Sequence, residues 1–181
     1  MKRRLAVLFA ATAITLSMGG ARADGSVEYA VKGTFLYKFL PFVQWPASAF
    51  AAPNSPITIC ILGRDPFGSA LDKAVADQVV ETHLVVVKRG ATLSDLPACQ
   101  AVFVSLANPE AQADAVHAFD GKPVLTVTDS TASPAGVIGF VVEQNHVRFD
   151  IDDALAARDG LTISSKLLTL ARKVTPRKAG P

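Results

Sequence analysis

Between Ile57 and Leu62 the chain reads Ile-Thr-Ile-Cys-Ile-Leu and stops at Gly63. A strand with one wet face would alternate apolar and polar residues. This run is nearly all apolar, so it predicts a strand buried on both faces, which needs a covering layer above and below its sheet. The neighbouring segments can supply those layers. Gly68 to Ala76 predicts a helix with Leu71 and Val75 inward, Leu84 to Val87 a second strand, and Ala101 to Leu106 a third. Pro109 to Phe119 predicts a helix that Asn108 can cap, with Pro109 at its first position. Val124 to Val127 is a fourth strand, halted by Asp129-Ser-Thr-Ala-Ser-Pro134. Val137 to Glu143 and Val147 to Ile151 then form a hairpin around Gln144-Asn-His146, where Asn145 tolerates a left-handed turn.

Both ends of this series are helical in pattern. Upstream, about Ser26 to Leu40 carries Val27, Val31, Phe35 and Phe39 at i, i+4 spacing, widened by Leu36 and Leu40, and leaves Lys32 and Lys38 for water. Pro41 bends or ends that helix, and Phe42, Val43 and Trp45 add bulk before Pro46. These clustered aromatics read as core, with a ligand-stacking wall as the other reading. Downstream, Asp152 caps a short helix to Arg158 and Asp159-Gly160 stops it. A second helix is expected from Ser164 or Ser165, with Leu167, Leu170, Ala171 and Val174 as its inward stripe, Arg172 and Lys173 in its last turn, and Leu168 off the stripe. The order predicts an α/β fold. It is a three-layer Rossmann-like sandwich, a mostly parallel sheet with an antiparallel edge hairpin and helices on both faces.

The first residues set the compartment. Met1-Lys-Arg-Arg4 is a basic start, Leu5 to Leu16 an apolar stretch, and Ala21-Arg-Ala23 fits a cleavage site, so 1–23 reads as a signal peptide and Asp24 as the mature start. The apolar stretch is shorter than the roughly 20 residues a spanning helix needs, and no later one is longer, so no membrane insertion is expected. Residues 24–175 read as a single domain and 176–181 as a flexible tail. The chain's formal charge of +2 includes Lys2, Arg3, Arg4 and Arg22; without them 14 basic side chains face 16 acidic ones. A mildly acidic exported domain with no basic stripe argues against nucleic acid as a partner.

Few residues suggest chemistry. Gly63, Arg64, Asp65, Phe67 and Gly68 form the best ligand loop, at the carboxyl end of a buried strand and the start of a helix, where Arg64 could meet an anion. The loop lacks the residues of a P-loop or a dinucleotide fingerprint, so a plain turn with Asp65 as helix cap is the competing reading. His83, His117 and His146 share no metal-like spacing, and Asp150, Asp152 and Asp153 lack the Gly and Glu of a calcium loop, so no metal and no cofactor is expected. Ser164-Ser-Lys166 lacks Ser-x-x-Lys, and no Gly-x-Ser-x-Gly occurs. Nothing demands an enzyme. Cys60 and Cys99 are the only cysteines. In an exported chain with the first and third strands adjacent they read as one disulfide, structural or else redox-sensing.

Several separated blocks carry a resemblance. Val31-Lys-Gly-Thr-Phe-Leu-Tyr-Lys-Phe-Leu-Pro-Phe-Val-Gln-Trp-Pro46, Ile59-Cys-Ile-Leu-Gly-Arg-Asp-Pro-Phe-Gly68, Cys99, Val147-Arg-Phe-Asp-Ile151 and Gly160-Leu-Thr-Ile-Ser-Ser-Lys-Leu-Leu-Thr-Leu-Ala171 occur in order. Together they resemble the YfiR/HmsC-like family of periplasmic proteins, from about Glu28 to Ala171. The resemblance supports the Cys60–Cys99 bond; members with four cysteines carry a second bond that this chain cannot form. It implies a non-catalytic regulator that binds the periplasmic domain of a membrane diguanylate cyclase and keeps cyclic-di-GMP and biofilm matrix low. An outer-membrane lipoprotein that sequesters the regulator is implied too, and a homodimer is allowed. Phe149, Ile151, Leu161, Ile163 and Leu168, in the last helix and the hairpin before it, are the expected partner surface. A periplasmic small-molecule-binding protein using the Gly63–Gly68 loop is the alternative.

Overall fold

The computed structural model describes residues 21–96, 98–129 and 136–178, with side chains from residue 27 onward. The basic and apolar parts of the expected signal peptide, and most of the stretch expected to halt the fourth strand, lie outside the described residues. In chain order the elements are α1 (Ala21–Lys38), β1 (Val43–Gln44), β2 (Ile57–Gly63), α2 (Ser69–Val75), β3 (Val79–Val80), β4 (His83–Gly90), β5 (Ala101–Ser105) and α3 (Pro109–His117). Then come β6 (Leu125–Asp129), β7 (Ile138–Glu143), β8 (His146–Asp152), α4 (Asp153–Arg158), β9 (Thr162–Ile163), α5 (Ser165–Leu168) and β10 (Lys173–Thr175).

One eight-stranded sheet has the order β10-β8-β7-β6-β5-β2-β4-β3. From β4 through β7 neighbouring strands run parallel, while β3 and β8 run antiparallel to β4 and β7. The winding reverses at β2, which has β4 on one side and β5 on the other, so α2 and α3 fall on opposite faces. The side chains of β2 divide accordingly. Ile57, Ile59 and Ile61 pack with Leu71 and Val75 of α2 and with α1, whereas Cys60 and Leu62 pack with Ala115 and Val116 of α3. The expected three-layer sandwich is what forms, and the continuous apolar run has its cause: both faces of β2 are covered.

Local chemistry sets the ends of the elements. Asn108 accepts a hydrogen bond from Ala111 N at 2.9 Å, and Asp152 accepts one from Leu155 N at 2.7 Å, as N-cap side chains do. The hairpin turn places Gln144 at φ 49° and Asn145 at φ 61°, the pair of left-handed residues that a two-residue turn between twisted strands requires.

The C-terminal region departs from the sequence expectation. Ser164 does cap a helix, but α5 is a single turn ending at Leu168, and the chain then enters β10, parallel to β8 with Val174 opposite Ile151. Val174 is therefore a strand residue, Leu170 is 63% exposed, and the hairpin β7–β8 is one strand in from the edge. A period-3.6 stripe of four residues cannot distinguish a helix from one turn followed by a strand. The tail expected to be loose from Pro176 is tied at Arg177, whose guanidinium grips both oxygens of Asp153 at 2.7 and 2.6 Å. Residues 179–181 lie outside the described residues.

The stripe on α1 is also rotated. Val27 and Val31 are 65% and 39% exposed, and the inward face is Lys32, Leu36, Phe39 and Leu40. Lys32, expected in water, is 4% exposed.

Candidate functional site

The Gly63–Gly68 loop lies between the carboxyl end of β2 and the start of α2, as expected, and the winding reverses there, but its polar groups other than the Arg64 side chain are already used. The Arg64 amide donates to Ser105 O at 2.9 Å, closing the crevice between the ends of β2 and β5. Gly63 has φ 88°, and a Cβ there would drive into the Ser105 carbonyl and the Leu106 side chain. At the start of α2 an anion's place is filled by the chain's own carboxylate, because Asp65 accepts from Phe67 N at 2.8 Å and Gly68 N at 3.1 Å. Phe67 is buried against Phe103 and Tyr29, with ring centroids at 4.8 and 5.9 Å. Arg89 of β4 fixes the loop from outside, donating through Nε to Asp65 at 2.6 Å and through both Nη atoms to Asp72. Burial would raise the Asp65 pKa, but the Arg89 hydrogen bond and the two backbone donors outweigh it and hold this carboxyl below its ordinary range. Asp72 is lowered by the same guanidinium. Arg64 alone among the loop's charged groups faces solvent.

Cys60 and Cys99 are joined, with Cα atoms 5.9 Å apart. The bond lies on the α3 face beside Val102 and links β2 to the residues just ahead of β5. Next to it stands Gln100, a residue the sequence did not single out. Its side chain accepts from Thr58 N at 2.8 Å and donates to Ala49 O at 2.7 Å, and its carbonyl accepts from the Trp45 indole at 3.0 Å and from Leu125 N at 2.8 Å. One buried residue, through its side-chain amide and its backbone carbonyl, thus joins β2, β6 and the 45–49 segment. Trp45 and Phe50, which stacks on His83 at 4.2 Å, are packed against protein rather than lining an open wall.

Lys32 defines a second cluster that the sequence concealed. Its ammonium pairs with Glu28 and, at 2.6 Å, with Asp129 at the end of β6, while Tyr29 donates to the other Asp129 oxygen at 2.9 Å. The same ammonium lies 4.7 Å from the Tyr29 ring centre. Burial works to lower the lysine pKa, and the hydrogen bonds to Asp129 and Glu28 reverse that and raise it. The usable signal was Glu28-x-x-x-Lys32 on the same face as Leu36 and Phe39, a pair spaced for one helix face that continues into the core stripe.

The expected partner surface requires correction. Phe149, Ile151, Leu161 and Ile163 are 4%, 1%, 1% and 4% exposed and belong to the main core. Phe149 meets Phe39 at 4.9 Å, and Ile163 pairs with Val43 in the small β1–β9 sheet. They are buried because β8 and β9 turn their apolar sides toward α1. Leu168 is half-buried against that core, and of the neighbouring apolar residues Leu170 is the one that projects into solvent.

Among the described residues no group of three or more His, Cys, Asp or Glu side chains has a metal-holding arrangement, and no helix is long and apolar enough to cross a membrane. Among curated proteins no significant match to the chain is found. The sequence model of the YfiR/HmsC-like family matches residues 29–172, from the Tyr29 that meets Asp129 to the Arg172 that leads into β10. The chain therefore belongs to the YfiR/HmsC-like family, whose members are periplasmic regulators of diguanylate cyclase.

Proposed function

We propose that this protein is a periplasmic repressor that binds the sensor domain of an inner-membrane diguanylate cyclase, restrains it, and so lowers cyclic-di-GMP and biofilm formation. The observation that carries the reading is the family match over residues 29–172, which takes in β1 to β9 and ends just before β10. A restraining protein acts by preferring the inactive form of its target, because only differential affinity moves a two-state equilibrium. Such a role asks for a stable body with an accessible contact surface and for no reacting groups of its own. Half-buried Leu168 and exposed Leu170 are the apolar contacts proposed for that docking. Export follows cleavage after Ala23, so the mature α1 begins at Asp24 or later. An outer-membrane lipoprotein competing for the regulator would release the cyclase.

The test is genetic and biochemical together. Deleting the gene is expected to raise cyclic-di-GMP, and the Leu168→Lys protein is expected to fold, be exported and fail to restore the low level. Unchanged cyclic-di-GMP in the deletion strain, with the cognate cyclase intact and active, would refute the reading. The small-molecule alternative is weakened by the Gly63–Gly68 loop, where Asp65 and the Ser105 carbonyl occupy the positions a ligand would need.

A further inference from the structure

On the face opposite α1, no described element other than α4 stands over the sheet beyond α3. Strands β7, β8 and β10 form the floor of an open groove of about 1230 Å³ there, walled by α4 and the end of α3. Its floor is low because Gly139 and Val141 are the β7 residues that face it. Its rim is strongly basic for a chain that is acidic once its signal peptide is gone. From Gly160 to Lys178 the sequence holds Lys166, Arg172, Lys173, Arg177 and Lys178 and no carboxylate. All of these except Lys166 line the groove, joined by Arg158 of α4.

The carboxylates of the groove are already engaged. Asp150 holds Arg172 through Nε and Nη2 at 2.8 and 2.5 Å, buried Asp153 holds Arg177 in the same way, and Asp120 takes Arg158 at 2.8 Å. Asp152 is spent on the Leu155 amide. Each pairing of Arg172 and Arg177 uses one edge of the guanidinium and leaves Nη1 unused by its carboxylate, in a fixed orientation. Among the described residues Lys173 and Lys178 have no carboxylate partner. Register places Lys173 beside Asp150 and Thr175 beside Asp152, on the groove side of the sheet, while Val174 beside Ile151 continues the core side. The strand β10 has a neighbour only at β8, so the sheet ends there.

We infer that this groove is a docking site for an extended acidic segment of a partner protein, lying along β10 with carboxylates at alternate positions toward Lys173, Lys178 and the fixed arginines. Alternation follows from the strand period, which gives successive residues of the segment to the groove side and to the side continued by Val174. Charge specifies the partner, because Arg158, Arg172, Lys173, Arg177 and Lys178 exceed Asp120, Asp150, Asp152 and Asp153 by one, the two lysines are the cations with no carboxylate bond among the described residues, and the mature chain's overall charge would not attract an acidic partner elsewhere. The inference goes beyond the cyclase reading and stands whatever protein carries the segment.

A fluorescent ten-residue peptide alternating glutamate and valine, with a lysine–valine peptide as control, is titrated with the disulfide-intact mature protein and followed by anisotropy. The acidic peptide is expected to bind, more weakly as salt rises, and the basic one not to bind. The double variant Lys173→Glu/Lys178→Glu, at two exposed positions, is expected to weaken binding about tenfold or more while keeping the circular dichroism spectrum. Val31→Lys, on the outer side of α1, is expected to leave it unchanged. Equal binding of both peptides, indifference to the double variant, or no binding of the acidic peptide at millimolar concentration would overturn the inference. So would capture by phosphatidylglycerol vesicles without peptide binding, which would assign the cations to a lipid surface.

Discussion

Replacing Asp129 by Asn separates the buried charge of Lys32 from its packing. The lysine side chain is 4% exposed, so when its close partner is neutralised the ammonium cannot simply move into water. Truncating one member of a buried pair commonly costs 3–5 kcal/mol, most of it the penalty of the charge left behind. Here Glu28 remains, and the side chains of Glu28 and Asp129 are themselves 33% and 26% exposed, so part of the loss is recovered. The expected cost is about 2–3 kcal/mol, below that range because of the remaining partner and the water. Lys32→Met keeps the length and removes the charge; the two carboxylates left can hydrate, and the expected change is within about 1 kcal/mol. Urea unfolding of the three proteins at pH 7 gives the comparison, with equal m-values as the check that the unfolded states match. Because the Lys32 pKa is raised on folding, its contribution is fully present below the ordinary value of 10.5 and is lost only as pH rises through the higher folded value. The gap between wild type and Asp129→Asn should therefore be flat from pH 7 to about 9 and close in strong alkali. If Lys32→Met costs as much as Asp129→Asn, packing of the side chain holds α1 down and the argument from charge is wrong.

Three other expectations are simpler to check. Reducing the Cys60–Cys99 bond, which closes a separation of 39 residues, should lower stability by about 4 kcal/mol in the chain-entropy limit, measured by urea unfolding with and without reductant. Gln100→Ala strands the Thr58 amide and the Ala49 carbonyl in a site where the residue is 4% exposed; a loss of about 2–3 kcal/mol is expected, and less than 1 would mean water replaces the amide. Arg89→Gln removes the cation that, with backbone donors, depresses Asp65 and Asp72, whose stabilisation is present above the ordinary carboxylate range and lost as pH falls through the folded values. The variant should lose about 1 kcal/mol or less at pH 7 and show a shallower acid limb below about pH 4 in a pH-stepped thermal melt.

The sheet was legible because its signals are local and redundant. The run at 57–62, the Asn108-Pro109 start and the Gln144-Asn145 turn each state one conformation, and all three formed. The last 20 residues misled because their conformation is decided elsewhere. Lys173 to Thr175 becomes a strand only because β8 offers an open edge, and a helical stripe at the same residues is equally compatible with the sequence. Lys32 misled for a related reason. A lysine on an amphipathic helix is normally outward, and the inward rotation is stabilised by Glu28 together with Asp129, 97 residues away, which no local pattern states. The expected docking residues were apolar and near the C-terminus, yet burial of four of the five follows from which side of β8 and β9 faces α1, a choice no local pattern states.

The pairing of β1 with β9 has a consequence for when the molecule can fold. Val43 lies opposite Ile163, Ser164 N donates to Phe42 O at 2.9 Å, and Leu161, Ile163 and Leu167 fill the space against Phe39 and Leu40. The first helix thus receives much of its packing from residues made more than 100 positions later. A loop of that length must be closed before those contacts repay its entropy, so the layer containing α1 cannot finish until the chain is nearly complete. A growing chain therefore keeps the layer containing α1 open as long as its last thirty or so residues are withheld. Completion of that layer is then timed by the arrival of the C-terminus, which closes over the first helix last.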